Sequence, residues 1–444
     1  MEKINFFKKN RINVIGGGLA GVEAARQITN FGINVTLFEM KPVHYSEAHK
    51  SEHLAELVCS NSLKSNFIEN AGGILKEEMR LLNSLVIEAA DNTSVPAGKA
   101  LAVDRDLFSE YITREIESNP RIELRREEYS DIENDVINIL ATGPLTTEGL
   151  VNNIMELTGQ KNLYFYDSIS PILNSDSIDY EKVFRASRYE EGTEGDYINC
   201  PLSKEQYYML VDEIINAEKI DLHEFEDTGY FESCMPVEVM CERGKETLRF
   251  GPMKPVGLTD PRTGKYPYAV VQLRMENNRA TMYNIVGFQT KLTYPEQRRV
   301  FRLIPGLENA EFFRYGSIHR NTYLRSPGLL NEFIQLENNK NIFFAGQITG
   351  VEGYVESAAT GIIAGINAAK KFLGEGLTPV PAESSIGSLI SYVSGFSGKN
   401  FQPININFGI YPDIGQKLKK DKKRELIAKR ALDSIKEYKT VLSY

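Results

Sequence analysis

The chain has no tryptophan, only five histidines and only four cysteines in 444 residues. Cys59, Cys200, Cys234 and Cys241 form no Cys-x-x-Cys pair and stand at no zinc-building distance from a histidine. No metal centre is therefore expected, and the thiols are expected to be free. No apolar run approaches the length of a membrane span, and residues 1–10 carry lysines and lead into a glycine-rich turn rather than an apolar leader. A cytoplasmic protein is expected. Strong positive charge is also missing: the formal net charge of −9 argues against a surface that is basic all over. Basic residues do gather locally, at Lys417, Lys419, Lys420, Lys422, Lys423, Arg424, Lys429 and Arg430, and at Arg298, Arg299, Arg302, Arg314, Arg320 and Arg325. Composition alone makes each cluster more often a solvated face than an RNA site.

What is present is a strand, a glycine turn and a helix. Residues 12–15 read as a strand, Gly16-Gly17-Gly18-Leu19-Ala20-Gly21 follows, and residues 19–30 read as a helix. Gly16 permits the tight turn, Gly18 lets backbone approach a pyrophosphate, and Gly21 lets helix and strand pack closely, with the helix N-terminus facing the anion. Val35, Leu37 and Phe38 form a second strand whose last residue, Glu39, is placed to accept a ribose hydroxyl hydrogen bond. Two further strands end in glycine. One is Val136-Ile137-Asn138-Ile139-Leu140 running into Ala141-Thr142-Gly143, and the other is Asn341-Ile342-Phe343-Phe344-Ala345 running into Gly346-Gln347. A helix rich in Gly and Ala follows over residues 357–371. Three such segments favour FAD over NAD as the bound dinucleotide.

The predicted architecture is α/β: a Rossmann-type, two-dinucleotide-fold FAD-binding domain, discontinuous over residues 1–185 and 330–444, with an α+β insertion domain at 186–329. The insertion is turn-rich at 190–196 and 251–267 and carries strands near 268–274 and 281–286. Cys59 is followed by small polar residues, and Cys234 stands just before Met235-Pro236, so neither lies in a core pattern. Cys200 and Cys241 read more simply as buried small apolar residues. His319, beside Arg320 and Asn321, is equally compatible with a surface role and a site role. Tyr354, just after the last glycine-ended strand, is placed either to stack on a ring or to pack.

Several stretches together resemble one family, the folate- and FAD-dependent RNA uracil-5-methyltransferases (TrmFO). They include residues 14–25, Ala55-Glu56-Leu57-Val58-Cys59-Ser60-Asn61-Ser62-Leu63, Leu75-Lys76-Glu77-Glu78-Met79-Arg80, Val95-Pro96-Ala97-Gly98 and Ala102-Val103-Asp104-Arg105. They continue through residues 251–258, 286–292, 345–354 and 401–409, so the likeness spans almost the whole chain. It implies transfer of a methylene group from 5,10-methylenetetrahydrofolate to uracil C5, with reduced FAD completing the methyl group and NAD(P)H reducing the flavin. Uracil C5 becomes nucleophilic once a thiolate adds at C6. By resemblance Cys234 is that nucleophile, Cys59 the second thiol near the flavin, His319 the residue that stacks the folate pterin, and Tyr354 an aromatic beside the flavin ring. The implied partner is RNA: most simply the T-loop uridine of tRNA, with a 23S ribosomal RNA uridine as the alternative. Cys241 departs from the pattern, where alanine is expected. A plain NAD(P)H–flavin oxidoreductase, a non-catalytic flavin-stabilised RNA-binding protein and the related glucose-inhibited-division family are the competing readings. Cys234 and the folate-side residues favour the methyltransferase.

Overall fold

The computed structural model describes residues 11–159, 163–188, 195–220, 235–398, 401–416 and 418–442, with side chains left out at 163–167, His319 and Arg320. Cys234 lies outside the described residues.

Alternation of apolar strand and helix produces a doubly wound sheet. Its six strands lie in the order Gln335–Leu336, Asn339–Phe344, Asn138–Leu140, Arg11–Ile15, Asn34–Glu39 and Ile122–Arg126. All neighbours are parallel except the short outer strand Gln335–Leu336. Val14, Leu37, Ile139 and Phe343 are fully buried, as strands covered on both faces must be. The chain turns away on opposite sides of Arg11–Ile15 and Asn138–Leu140, which pair with Val14 opposite Ile139. This is the switch point at whose carboxyl edge open α/β sheets bind ligands. One face is covered by Leu19–Asn30, which runs against the 19-residue helix Tyr354–Phe372. Contact is close because Gly361 and Gly365 have no side chain: a Cβ there would lie 2.2 Å from Ala20 O and 2.6 Å from Ala24 O.

A second six-stranded sheet is antiparallel, in the order Phe184–Arg185, Tyr197–Leu202, Ala269–Met275, Met282–Ile285, Ile172–Asn174 and Phe312–Arg314. It has its own core, including Leu173, Ile198, Leu210, Val271, Tyr283 and Phe301. This sheet takes in Ile172–Asn174 and Phe184–Arg185, residues that the sequence grouped with the first flavin segment. The outgoing strand Leu163–Ser168 and the returning strand Ile318–Tyr323 pair antiparallel, so the chain enters and leaves the inserted half side by side.

The basic C-terminal segment is a helix, Lys420–Thr440, that packs Ile427, Ala431 and Ile435 toward Ala71–Leu81. Several of its cations are held locally. Lys422 meets Glu425, Lys423 meets Asp413, Arg430 donates to the carbonyls of Pro412 and Asp413, and Arg424 lies over Phe408. Among the described residues, no helix is long and apolar enough to cross a membrane.

Candidate functional site

A cavity of about 350 Å³ opens at the switch point. Its floor is the glycine turn. Gly16 has φ +104°, and a Cβ there would sit 2.5 Å from Ala141 O. Gly21 is barred more severely, its Cβ falling 1.8 Å from Gly16 O, so strand, turn and helix are locked together by the absence of side chains. Gly18 is different: a Cβ on it would meet no protein atom within 4 Å. That open volume, at the amino end of Leu19–Asn30, fits a dinucleotide pyrophosphate against backbone N–H groups.

Glu39 closes this end. Its Oε2 accepts from Gly17 N–H at 2.8 Å and its Oε1 from Lys41 N–H at 3.0 Å. The carboxylate is thus fixed by backbone, with lone pairs left for a ribose hydroxyl. Among the expected cofactor residues, Gly16, Gly17, Gly18, Leu19, Ala20, Glu39, Ala141, Thr142, Gly143, Gly346, Gln347 and Tyr354 all line the cavity. Gly21 does not, consistent with its packing role. Thr142 shares a hydroxyl hydrogen bond with Thr146 at 2.7 Å, which holds the Ala141-Thr142-Gly143 crossover in place.

The same cavity holds a thiol, Cys59. It lines the cavity, and the N–H groups of Cys59 and Ser60 donate to Tyr354 Oη at 2.7 and 3.3 Å. Burial, with Cys59 beside it, holds the Tyr354 phenol well above its ordinary pKa, so it stays a neutral acceptor. Tyr354 therefore both faces the cavity and ties the Cys59 loop to the helix Tyr354–Phe372. The loop is also gripped by cations. Arg105 donates to Leu57 O and to Glu276 Oε2, the latter at 2.5 Å, while Arg274 donates to Ser60 Oγ and Asn61 Oδ1, both at 2.8 Å. Arg314 reaches Ala48 O at 3.3 Å. Burial holds the guanidinium pKa of Arg274 and of Arg314 below its usual value. Sequence reasoning singled out neither Arg105 nor Arg274. Their partners, Glu276 for Arg105 and Asn61 for Arg274, are 171 and 213 residues away in the chain, and no local pattern signals such a pair. Glu356 was also missed: it is buried, lines the cavity, and its Oε2 has no partner among the described residues.

The remaining described thiols are accounted for. Cys200 is fully buried and its pKa is pushed up by burial. Cys241 is pushed up to about 12 by burial and by Glu238 and Glu242. Neither can supply a thiolate near neutral pH. Val237, three residues after Cys234, donates its N–H to Gln289 O at 2.7 Å, and Gln289 lines the cavity. Asn321, two residues after His319, also lines it. Among the described residues, no cluster of His, Cys, Asp and Glu could hold a metal ion.

Fold and site define a Rossmann-type dinucleotide-binding protein whose cavity is lined by a cysteine as well as by the phosphate cradle. The family model described as glucose inhibited division protein A matches residues 11–376. The chain is 55% identical over 436 residues to the methylenetetrahydrofolate–tRNA-(uracil-5-)-methyltransferase TrmFO of Syntrophus aciditrophicus, covering 98% of this chain and 99% of that one. It is 57% identical to the TrmFO of Citrifermentans bemidjiense, covering 97% and 99%. Among solved structures, Aquifex aeolicus GidA superposes with TM-score 0.71 at 18% identity, covering 97% of this chain and 73% of that chain. The chain belongs to the glucose-inhibited-division-protein-A family and, within it, to TrmFO.

Proposed function

We propose that this protein methylates C5 of a uridine in tRNA, the T-loop uridine, using 5,10-methylenetetrahydrofolate as carbon donor and FAD as the bound cofactor, with NAD(P)H as reductant and the cytoplasm as the place of action. The observation that carries the reading is one cavity lined both by a backbone phosphate cradle and by Cys59, whose loop is held by Arg105 and Arg274. A small-molecule oxidoreductase has no need of such a thiol. Near-full-length likeness to enzymes of this name supports it.

FAD held at Gly16, Gly17, Gly18 and Glu39 would, when reduced, supply the hydride needed to turn the transferred methylene into methyl. The residues of the chain prepare the pyrimidine. The Cys234 thiolate adds at C6 of the uracil, an S–C6 bond forms, and electron density moves to C5, which bonds the methylene carbon. The C5 proton then leaves, with Cys59 as the assisting thiol, as the bond between the methylene carbon and the folate nitrogen breaks to release tetrahydrofolate; hydride addition to the resulting exocyclic methylene gives the methyl group, and the S–C6 bond breaks to restore the ring and the thiolate. Gly18 and Glu39 orient the dinucleotide, Tyr354 holds the Cys59 loop, and His319 stacks the pterin. Arg105 and Arg274 fix the thiol-bearing loop to the inserted half and lend it positive potential, which favours an RNA phosphate nearby.

The deciding experiment gives purified protein a tRNA transcript, a 23S ribosomal RNA fragment transcript, 5,10-methylenetetrahydrofolate and NADPH, and reads 5-methyluridine by mass spectrometry. Methylation at the T-loop uridine of the tRNA alone is expected, and lost in His319→Ala while flavin absorbance persists. Methylation of neither RNA would overturn the assignment.

A further inference from the structure

Outside the cavity, three rings form a ladder on the inserted half. Tyr294 stacks on Tyr315 with centroids 4.8 Å apart and planes 18° apart, and Tyr315 stacks on Phe312 at 5.0 Å and 15°. Tyr315 is the middle rung. Tyr294 is the outer one, 53% exposed at the first position of the helix Tyr294–Phe301. Four residues on, and so on the same helix face, Arg298 donates to Tyr315 Oη at 2.6 and 3.1 Å. Among the described residues Arg298 meets no carboxylate, whereas its neighbour Arg299 is engaged by Glu296 and Glu213.

The ladder is rigid and tied to the cavity. Gln297, fully buried, donates from Nε2 to Leu292 O and Gly316 O and accepts from Gly316 N–H, at 2.7 to 2.9 Å. These bonds clamp the start of the helix to the residue after Tyr315. Gly316 has room for no side chain, since a Cβ would lie 2.5 Å from Thr290 Cγ2 and 2.6 Å from Ile169 O. Ile169 lines the cavity. The middle rung is thus one residue from the cavity wall.

We propose that the exposed face of Tyr294 is a stacking platform for an unpaired nucleobase next to the target uridine, with Arg298 meeting the adjoining phosphate. An enzyme acting on a base in an RNA loop must take that base out of its stack, which leaves a flanking base without a neighbour. A planar, pre-stacked, exposed ring beside a cation restores that lost contact without reading sequence. This inference rests on the RNA substrate assigned above.

The test uses full-length holoenzyme and the tRNA transcript. Tyr294→Ala is expected to raise the KM for the transcript by about tenfold, with flavin content and the KM for folate unchanged. Tyr294→Phe, which keeps the ring, stays within about twofold of wild type. Removing the base from one of the two nucleotides flanking the target is expected to raise the wild-type KM to that of Tyr294→Ala, so that the two become indistinguishable. An unchanged transcript KM in Tyr294→Ala, a rise in the folate KM instead, or a loss in Tyr294→Phe as large as in Tyr294→Ala would each overturn the proposal. Failure of wild type to methylate the transcript at all would strike the parent assignment, not the platform.

Discussion

The two halves of this molecule build one cavity from different materials. On the dinucleotide side the walls are backbone: Gly16, Gly17 and Gly18, the strand end at Ala141, and Glu39 held by two amide N–H groups. The inserted half contributes Gln289 and Asn321 to the wall and otherwise acts through long side chains that do not line the cavity but fix the Cys59 loop that does, Arg274 reaching Asn61 and Ser60 while Glu276 holds Arg105. Backbone cradles suit a cofactor that every turnover needs in the same place. Side-chain contacts between separately cored halves suit a substrate side whose shape is set by the RNA it takes.

That contrast breaks first, and most heavily, at Glu276. It is 1% exposed, Arg105 Nε donates to its Oε2 at 2.5 Å, and its Oε1 has no partner among the described residues. Glu276→Gln leaves the largely buried Arg105 guanidinium, 15% exposed, without its counter-charge. We expect a loss of about 3–5 kcal/mol in urea unfolding, as for other broken buried pairs. A loss under about 1 kcal/mol would mean the pair behaves as a surface one and does not join the halves.

The next test separates two glycines in the same turn. Gly18→Val adds atoms only to open volume, so FAD affinity should fall by about 2–3 kcal/mol, roughly 100-fold, while the melting temperature of the cofactor-free protein holds. Gly21→Val should instead lower that melting temperature, because its Cβ would collide with Gly16 O. Equal melting losses in the two variants would dissolve the distinction between cradle and packing glycine.

The most gradual effect, spread over several pH units, concerns a carboxylate within the dinucleotide half. Glu78, fully buried, accepts from Ser385 N–H and Oγ–H and from Ile386 N–H at the start of the helix Ser385–Gly395. Its pKa is raised to about 8, burial outweighing those hydrogen bonds. A raised folded-state pKa means that the native state holds a proton the unfolded chain has released. The stability it contributes is full below the ordinary value of 4.5 and is lost as pH rises through about 8. Stability should therefore decline from about pH 5 to 8, by at most about 1.4 kcal/mol per pH unit from this group, and Glu78→Gln should flatten the decline. An identical slope in the variant would remove Glu78 as its source.

What could be read in the sequence follows the same division. The helix Leu19–Asn30 was legible to the residue, because glycine spacing and apolar periodicity are local signals. The strand expected at 268–274 appears as Ala269–Met275, and the helix expected at 357–371 as Tyr354–Phe372, begun early because Gly353 leads into it. Ile172–Asn174 was not legible as part of the inserted sheet, since three residues carry no period. Nor were the helix-capping carboxylates Glu23 and Glu78, which serve helices far along the chain. Cys241 is buried as the sequence implied, and Val237, four residues before it on the same helix and also buried, shows the helical spacing that marks an inert thiol.

The central claim is that a thiol from the inserted half attacks a uridine held against the cofactor cradle. A tRNA transcript carrying 5-fluorouracil at the target position tests it directly, because fluorine at C5 cannot leave as a proton and the S–C6 bond should persist. We predict a denaturation-resistant protein–RNA complex with wild type and Cys241→Ala, and none with Cys234→Ala. A complex that survives in Cys234→Ala and disappears in Cys59→Ala would reverse the two thiols, and its formation in both single variants and in the Cys59→Ala/Cys234→Ala double variant would contradict cysteine catalysis in this chain.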